Sequence, residues 1–307
     1  MHHRYILKWL FSIPVIMIGV ALIAFLIVYL TPGDPARVVA GEQASQETVE
    51  AVRTALGLDR PLPVQFVTFL QRAMVGDLGR SIATNQPVLK ELLNRLPVTI
   101  KLGMIAAVLG IVLGVTIGTI AATRRGTAFD AFVMGCSVIG LSAPSFWLGL
   151  VLMYYFCLVI PVFPVAGWGS PAAYVLPAIT MGAHQMATLA RLSRSAMLEV
   201  LSEDYVRTAR AKGLGERIVL FKHAWRNAAI PVVTVIGVQF SVMLGGAVVV
   251  ETVFSVPGVG RYLVQAIMSK DFPVIQGGLM VVSAFTVLMT GLVDILYGLI
   301  DPRIRVK

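Results

Sequence analysis

Stretches without Asp, Glu, Lys or Arg dominate the chain, covering 9–33, 102–123, 131–190, 227–250 and 272–293. A helix needs about 20 apolar residues to cross the hydrocarbon core of a bilayer. Four of these stretches therefore predict one membrane-spanning helix each. The stretch 131–190 is too long for one helix and is interrupted by Pro161, Pro164, Gly167, Gly169, Pro171 and Pro177. It predicts two helices joined by a short uncharged loop, for a total of six spans in an all-α membrane protein. The first apolar stretch exceeds the 7–15 residues of a secretory leader's core, and no A-x-A cleavage site follows it. It predicts a retained helix.

The lysines and arginines fall between the apolar stretches. Fifteen lie at the N-terminus (Arg4, Lys8), after span 2 (Arg124, Arg125), between 191 and 226, and at the C-terminus (Arg303, Arg305, Lys307). The short loops on the other side hold only Arg261 and Lys270. Short loops rich in Lys and Arg stay in the cytoplasm, so both termini and the segment 191–226 are expected inside. Residues 32–96 form a long segment on the outer face, and long segments weigh little in this rule. There Gly41–Leu56 and Val64–Met74 show helical spacing, with Gly57 as a stop, which predicts a small folded cap. The expected division is 1–31 (N-terminus and first span), 32–96 (extracytoplasmic segment) and 97–307 (spans 2–6), with 191–226 as an inner loop.

Composition agrees with this pattern. Of 307 residues, 57% are hydrophobic and 13% charged, against about 25% charged in soluble domains, and the mean hydropathy is +0.83. The net charge of +9 is spread over short loops and forms no basic stripe of the kind nucleic-acid binding requires. Cys136 and Cys157 lie in apolar stretches without metal-ligand spacing and read as packing residues.

Catalytic motifs are missing. The sequence has no Gly-Lys pair, hence no phosphate-binding P-loop, and no H-E-x-x-H. Ser142 precedes Ala143-Pro144 and so departs from the G-x-S-x-G elbow; an intramembrane hydrolase using such a serine with His184 is an alternative. Polar residues within the spans are functional candidates. His184 and Gln185 in span 4, with Gln239 and Ser241 in span 5, either line a hydrated path or hydrogen-bond between helices. Asp294 in span 6 suits pairing with a basic inner-loop residue. Gly110, Gly114 and Gly118 form one stripe of span 2 along which a helix can approach closely, within the chain or from a partner subunit.

The inner loop is the most informative stretch. Ser202-Glu203-Asp204 reads as a helix start with acids at the positive end of the dipole, and Gly213 as its stop. A helix over about 203–213, with small residues at Ala209 and Ala211, suits docking into a groove on a soluble partner. Its apolar face (Tyr205, Val206, Leu214) is too thin to anchor in lipid.

Glu203-Asp204-Tyr205-Val206-Arg207-Thr208-Ala209-Arg210-Ala211-Lys212-Gly213 resembles the EAA loop of binding-protein-dependent ABC importers, in the form found in dipeptide, oligopeptide and nickel permeases. Further blocks resemble the same family in the same order: Leu30-Thr31-Pro32-Gly33-Asp34-Pro35, Leu56–Leu62, Gly76–Ser81, Glu251–Arg261, Asp271–Gln276, and Asp294 with Asp301-Pro302-Arg303. The long segment after span 1 is like that of the first subunit of the permease pair. The resemblance implies the type I importer permease fold and a place in the bacterial inner membrane. It also implies a second permease subunit, two P-loop ATPase subunits that carry ATP and Mg, and an extracytoplasmic substrate-binding protein. The chain itself would hold no cofactor or metal and catalyse no reaction. Glu203, Asp204, Arg207, Ala209, Ala211 and Gly213 would couple to the ATPases. His184, Gln185, Gln239 and Ser241 would line the path. Glu251, Phe254, Pro257, Gly258 and Gly260 would form an outer loop at the channel mouth, with Gly258 and Gly260 in a tight turn. Dipeptides or short oligopeptides are the first expectation for cargo, with glutathione or nickel chelates as alternatives. An ATP-independent secondary transporter is the alternative of another class, though no matching inverted halves are found.

Overall fold

A computed structural model describes residues 2–30, 33–41, 43–165 and 168–300, with side chains described at all of these except 2–10, 237–238, 240–246 and 294–300. The described residues are helical and contain no strand, only an isolated antiparallel bridge between Arg80 and Pro87. In chain order the helices are α1 (His2–Leu30), α2 (Pro35–Ala40), α3 (Gln46–Ala55), α4 (Leu62–Met74), α5 (Val88–Thr123), α6 (Ala128–Ser142) and α7 (Ser145–Met153). They continue with α8 (Ala172–Leu201), α9 (Asp204–Ala211), α10 (Glu216–Ile218), α11 (Trp225–Val253), α12 (Val259–Met268) and α13 (Phe272–Ile300). Wider π-helical turns follow α7 (Tyr154–Val159) and α10 (Val219–Ala224).

By length and composition, Phe11–Leu30, Val88–Thr123 and Phe272–Val293 can each cross a membrane, and α6 with the α7 segment is long and apolar enough only as a pair, bent by 113°. Helices α8 and α11 have 30 and 29 residues, about 45 Å at 1.5 Å per residue, which is enough to cross. Helix α8 is the least apolar of these: half of its residues are buried, and His184, Arg191, Ser195 and Glu199 are exposed.

One expectation needs correction. The stretch 131–190 holds three helices, not two: besides the expected break, which lies between Val159 and Ala172, a second one falls at Pro144. A proline pushes the preceding residue out of the helical region, and Ala143 is extended (φ −74°, ψ 127°). Pro177, expected to interrupt, lies inside α8; a membrane helix tolerates the one lost backbone bond when neighbours surround it. The bend at Pro144 brings Gly149 of α7 against Phe254, Val253 and Thr180, so tertiary packing decides which proline ends a helix.

The chain divides into two compact units, one chiefly Met1–Val98 with Pro257–Leu292, the other Thr99–Val256 with Val293–Ile304. In the first, the segment after α1 folds through local capping. Asp34 caps α2 by accepting from the Ala36 N–H at 3.1 Å and pairs with Arg53 at 2.6 Å. Ser45 caps α3 by accepting from the Thr48 N–H, and Gly57 ends it in the left-handed region at φ +68°. Phe25 of α1 meets Phe66 and Phe69 of α4, with ring centroids 5.5 and 6.2 Å apart. The segment thus joins a core of Val28, Val88, Leu92, Val259, Tyr262 and Phe272 and does not stand apart. Asp271 secures it from the far end of the sequence, accepting hydrogen bonds from Ser81 Oγ (2.6 Å) and the N–H groups of Ile82 (3.1 Å) and Ala83 (3.2 Å).

In the second unit α8 packs against α11, α6 and α7, and glycines bring α5 close to it. A Cβ added at Gly114 would lie 2.6 Å from the Met186 carbonyl oxygen, and one at Gly110 would lie 2.9 Å from Gln185 Oε1. At Gly118 it would collide with the backbone of Ala190. Gly182 returns the contact from α8, 2.7 Å from the Ala106 carbonyl oxygen. The glycine stripe is therefore used inside the chain, not at a surface left for a partner. Helix α6 joins through Asp130, which is buried and takes a two-point contact from Arg194 of α8 at 2.5 and 2.7 Å. Of the two cysteines, Cys157 is buried, but Cys136 is exposed on α6, so only one packs in the interior.

Gly118→Val should lower the thermal midpoint of the purified chain, since forcing volume into a packed contact costs about 1–3 kcal/mol. Gly19→Ala in α1, where nothing lies within 4 Å of an added Cβ, should leave the midpoint unchanged. Equal midpoints for the two variants would show that α5 and α8 do not approach this closely.

Candidate functional site

The expected inner helix is present as α9, but its boundaries differ. Ser202 closes α8, its Oγ donating to the Glu199 carbonyl at 2.7 Å. Glu203 is the N-cap residue by backbone (φ −71°, ψ 145°) and forms no side-chain cap. Asp204 begins the helix and pairs loosely with Arg207 at 3.4 Å. After Lys212, Gly213 turns the chain in the left-handed region at φ +78°. Only glycine takes this conformation at little cost, so that part of the sequence reading rests on backbone geometry.

Helix α9 presents two distinct faces. Val206 and Ala209 are buried at 0% and 5% exposure and pack with Val219, Val200 and Leu201. The sequence pattern turns Ala209 towards a partner, yet it faces the chain's own interior. Eight residues carry too little periodicity to settle such a face from sequence. The outward face consists of Tyr205, Arg207, Thr208, Arg210 and Ala211, all exposed. Two contacts fix the helix to α10 and α11. Arg210 grips Glu216 of α10 at 2.8 and 3.2 Å, and Asn227 Nδ2 of α11 donates to the Tyr205 hydroxyl at 2.7 Å. The Arg210 guanidinium holds the Glu216 carboxyl below its ordinary range, and Glu216 in turn raises Arg210. Below α9 a small cluster of Ala122, Ala196, Met197, Ala224 and Ala228 joins the ends of α5, α8 and α11. Helix α9 is thus seated on the end of α8, two residues after it.

The four polar candidates within the spans separate. His184 is exposed on α8, whereas its neighbour Gln185 is buried against Gly110. Among the described residues, neither amide atom of Gln185 finds a hydrogen-bond partner. Gln239 is half-buried on α11, and the Ser241 side chain lies outside the described residues, as does that of Asp294. What joins His184 instead is a line of residues that the sequence pattern did not single out. Thr188, Arg191, Ser195 and Glu199 are half-buried or exposed, while Gln185, Ala187, Leu189, Ala190, Ser193, Ala196 and Met197 are buried. Spacings of four, three, four and four residues put His184, Thr188, Arg191, Ser195 and Glu199 on one side of the helix. The period is visible in the sequence, but there Arg191 reads only as a loop charge.

The outer-loop group also changes. Glu251 belongs to the last turns of α11 and is fully buried, accepting from Thr99 Oγ1 at 2.5 Å. Phe254 follows as the C-cap, and Ser255, at φ +56°, makes the tight turn expected of Gly258 and Gly260. Pro257 is exposed. Gly258 is extended at the start of α12, and Gly260 lies buried within it. That helix departs from the expected loop, although Val259, Tyr262, Leu263 and Ala266 stand at helical spacing and are its buried residues.

Comparison with known proteins gives a consistent picture. Residues 114–306 match the family described as binding-protein-dependent transport system inner membrane component, and residues 2–103 match the N-terminal model of such membrane components. A putative peptide transport system permease protein of Brucella abortus is 45% identical over 302 residues, covering 96% of each chain. A glutathione transport system permease protein of Salmonella paratyphi A is 43% identical, covering 99% of each. Among solved structures, a methionine ABC transporter in an inward-facing conformation superposes with a TM-score of 0.56 at 17% identity, over 70% of this chain and 98% of that one.

Gln185→Leu removes two buried polar groups that have no partner among the described residues, each of which costs about 1–3 kcal/mol to desolvate. The variant should melt at the same temperature as the parent or higher, and should still transport. A fall in midpoint of several degrees would show that the amide has a partner in the assembled protein.

Proposed function

Since the chain belongs to the family of binding-protein-dependent transport system inner membrane components, we propose that it forms half of the translocation channel of an ATP-driven importer. Its cargo is dipeptides or short oligopeptides. Relatives named for peptide and for glutathione transport support a small peptide as the class. The remaining parts are a second permease subunit, two P-loop ATPases that bring ATP and Mg, and an extracytoplasmic binding protein. The charge distribution favours the inner membrane with both termini and α9 in the cytoplasm, and the segment around α2–α4 outside.

The observation that carries this reading is the construction of α9. Its inward face locks onto the end of α8 through Val206 and Ala209, and on its polar outward face Arg207, Thr208 and Ala211 are tied to no other element among the described residues. A helix held in this way passes a push on its outer face to α8. Helix α8 then carries the line of His184, Thr188, Arg191 and Ser195. A lipid-facing stripe with arginine and histidine is expensive, which favours a position along a hydrated path, where Arg191 supplies a cation for a peptide carboxylate. Glu203, Asp204 and Arg207 border the docking face, and Gly213 sets the direction in which the chain leaves it.

Ala211→Glu places bulk and charge on the outward face, and Gly213→Val forces a β-branched residue into a left-handed turn. Both variants should reach the membrane in normal amounts, lose most ATPase co-purification, and no longer raise ATP hydrolysis when loaded binding protein is added. Ala209→Glu should instead reduce the amount of folded chain, because Ala209 is buried. Full stimulation of hydrolysis in Ala211→Glu and Gly213→Val would remove α9 from the coupling role.

A further inference from the structure

A groove of 380 Å³ runs between α5 and α8, lined by Lys101, Ile105 and Leu109 on one side and by Pro171, Tyr174 and Val175 on the other. Lys101, Ile105 and Leu109 are spaced by four and so form one stripe of α5. Lys101 is exposed, and its ammonium sits 4.4 Å from the centre of the Tyr174 ring. Tyr174 is itself 8% exposed and lies 4.2 Å from the Trp168 ring. Tyr174 therefore cannot swing away, and it holds the cation at the head of the groove by a cation–π contact. Among the described residues, no carboxylate pairs with Lys101.

The depth of the groove fits one leaflet. From Lys101 to Leu109 the helix rises about 12 Å, close to half of the roughly 30 Å hydrocarbon core. Tryptophan, tyrosine and lysine at one level mark the membrane–water interface, and below that level the walls are aliphatic. A packed transmembrane helix from another chain would bring an apolar surface to an unpaired ammonium. An acidic lipid brings a phosphate to it and a hydrocarbon chain to the aliphatic walls.

We propose that this groove is a binding site for one acidic phospholipid, with its phosphate on Lys101 and an acyl chain along Ile105, Leu109 and Val175. The lipid wedges between the outer parts of α5 and α8, beside the Ala106–Gly182 contact that joins the same two helices.

The permease purified with its partner subunits can be stripped of lipid and titrated with phosphatidylglycerol or phosphatidylcholine of identical chains, with bound lipid counted by native mass spectrometry. Phosphatidylglycerol should be retained about fivefold more strongly, the factor that one lysine contributes at an anionic surface. Lys101→Gln should bring the two lipids level while the apolar retention persists. Val175→Trp, which fills the groove, should lose the bound lipid altogether. Inorganic phosphate should compete with neither lipid, because it lacks the chain. Equal retention of both lipids by the parent, or an unchanged preference in Lys101→Gln, would overturn the proposal. So would a disulfide from Ile105→Cys to the second permease subunit, which would assign the groove to a protein helix.

Discussion

The second unit depends on what can pack against α8: α11, α6 and α7 lie along it, and α5 meets it backbone to backbone. Helices in a bilayer gain little from the hydrophobic effect, because lipid tails are as apolar as leucine, so association relies on packing at short range. Gly110, Gly114 and Gly118 on one helix and Gly182 on the other let backbone meet backbone. This contact fixes which side of α8 is turned inward. Gln185, Leu189 and Ala190 must face α5, and α6 takes another side through Gly140 against Ala187 and through Arg194 on Asp130. Helices α11 and α7 pack on α8 as well, and the side that carries His184, Thr188, Arg191 and Ser195 stays exposed or half-buried. Its separation from buried Gln185 follows from a rotation of about 100° per residue.

The same anchoring explains why a helix as short as α9 is useful. Eight residues are too few to form a stable helix alone in water. Helix α9 stands because Val206 and Ala209 plug a pocket formed with Val219, Val200 and Leu201, and because Arg210 and Tyr205 tie it to α10 and α11. Each tie is modest, and the exposed ion pair contributes under about 1 kcal/mol. Together they attach the outward face firmly to the long helices behind it. Under the proposed function ATP hydrolysis lies on other chains, which makes such an attachment the feature a permease needs most.

Much of this was legible in the sequence. Apolar stretches located the long helices, because a bilayer demands a minimum length of uncharged chain. Gly213 marked the end of α9, because a left-handed turn depends on a single residue, whereas Glu203 stands at its start without forming a side-chain cap. What was not legible depends on contacts between distant parts of the chain. Asp271 holds Ser81 across 190 positions, and the two fall in separate sequence blocks that carry no sign of meeting. Pro144 breaks a helix and Pro177 does not, since their neighbours in space differ. Glu251 ends an apolar stretch and so reads as the start of a loop, whereas Thr99 lets it remain inside a helix. Ala209 reads as a docking residue for its small size, and small size also suits a buried position.

The central claim is that the outward face of α9 meets an ATPase while the inward face does not, and site-specific photo-crosslinking in intact membranes tests this directly. A photoreactive residue at Thr208 or Ala211 should capture an ATP-binding partner, and one at Thr68 in α4 should capture none. Capture from Thr68 equal to that from Thr208, or no capture from either position on α9, would contradict the account.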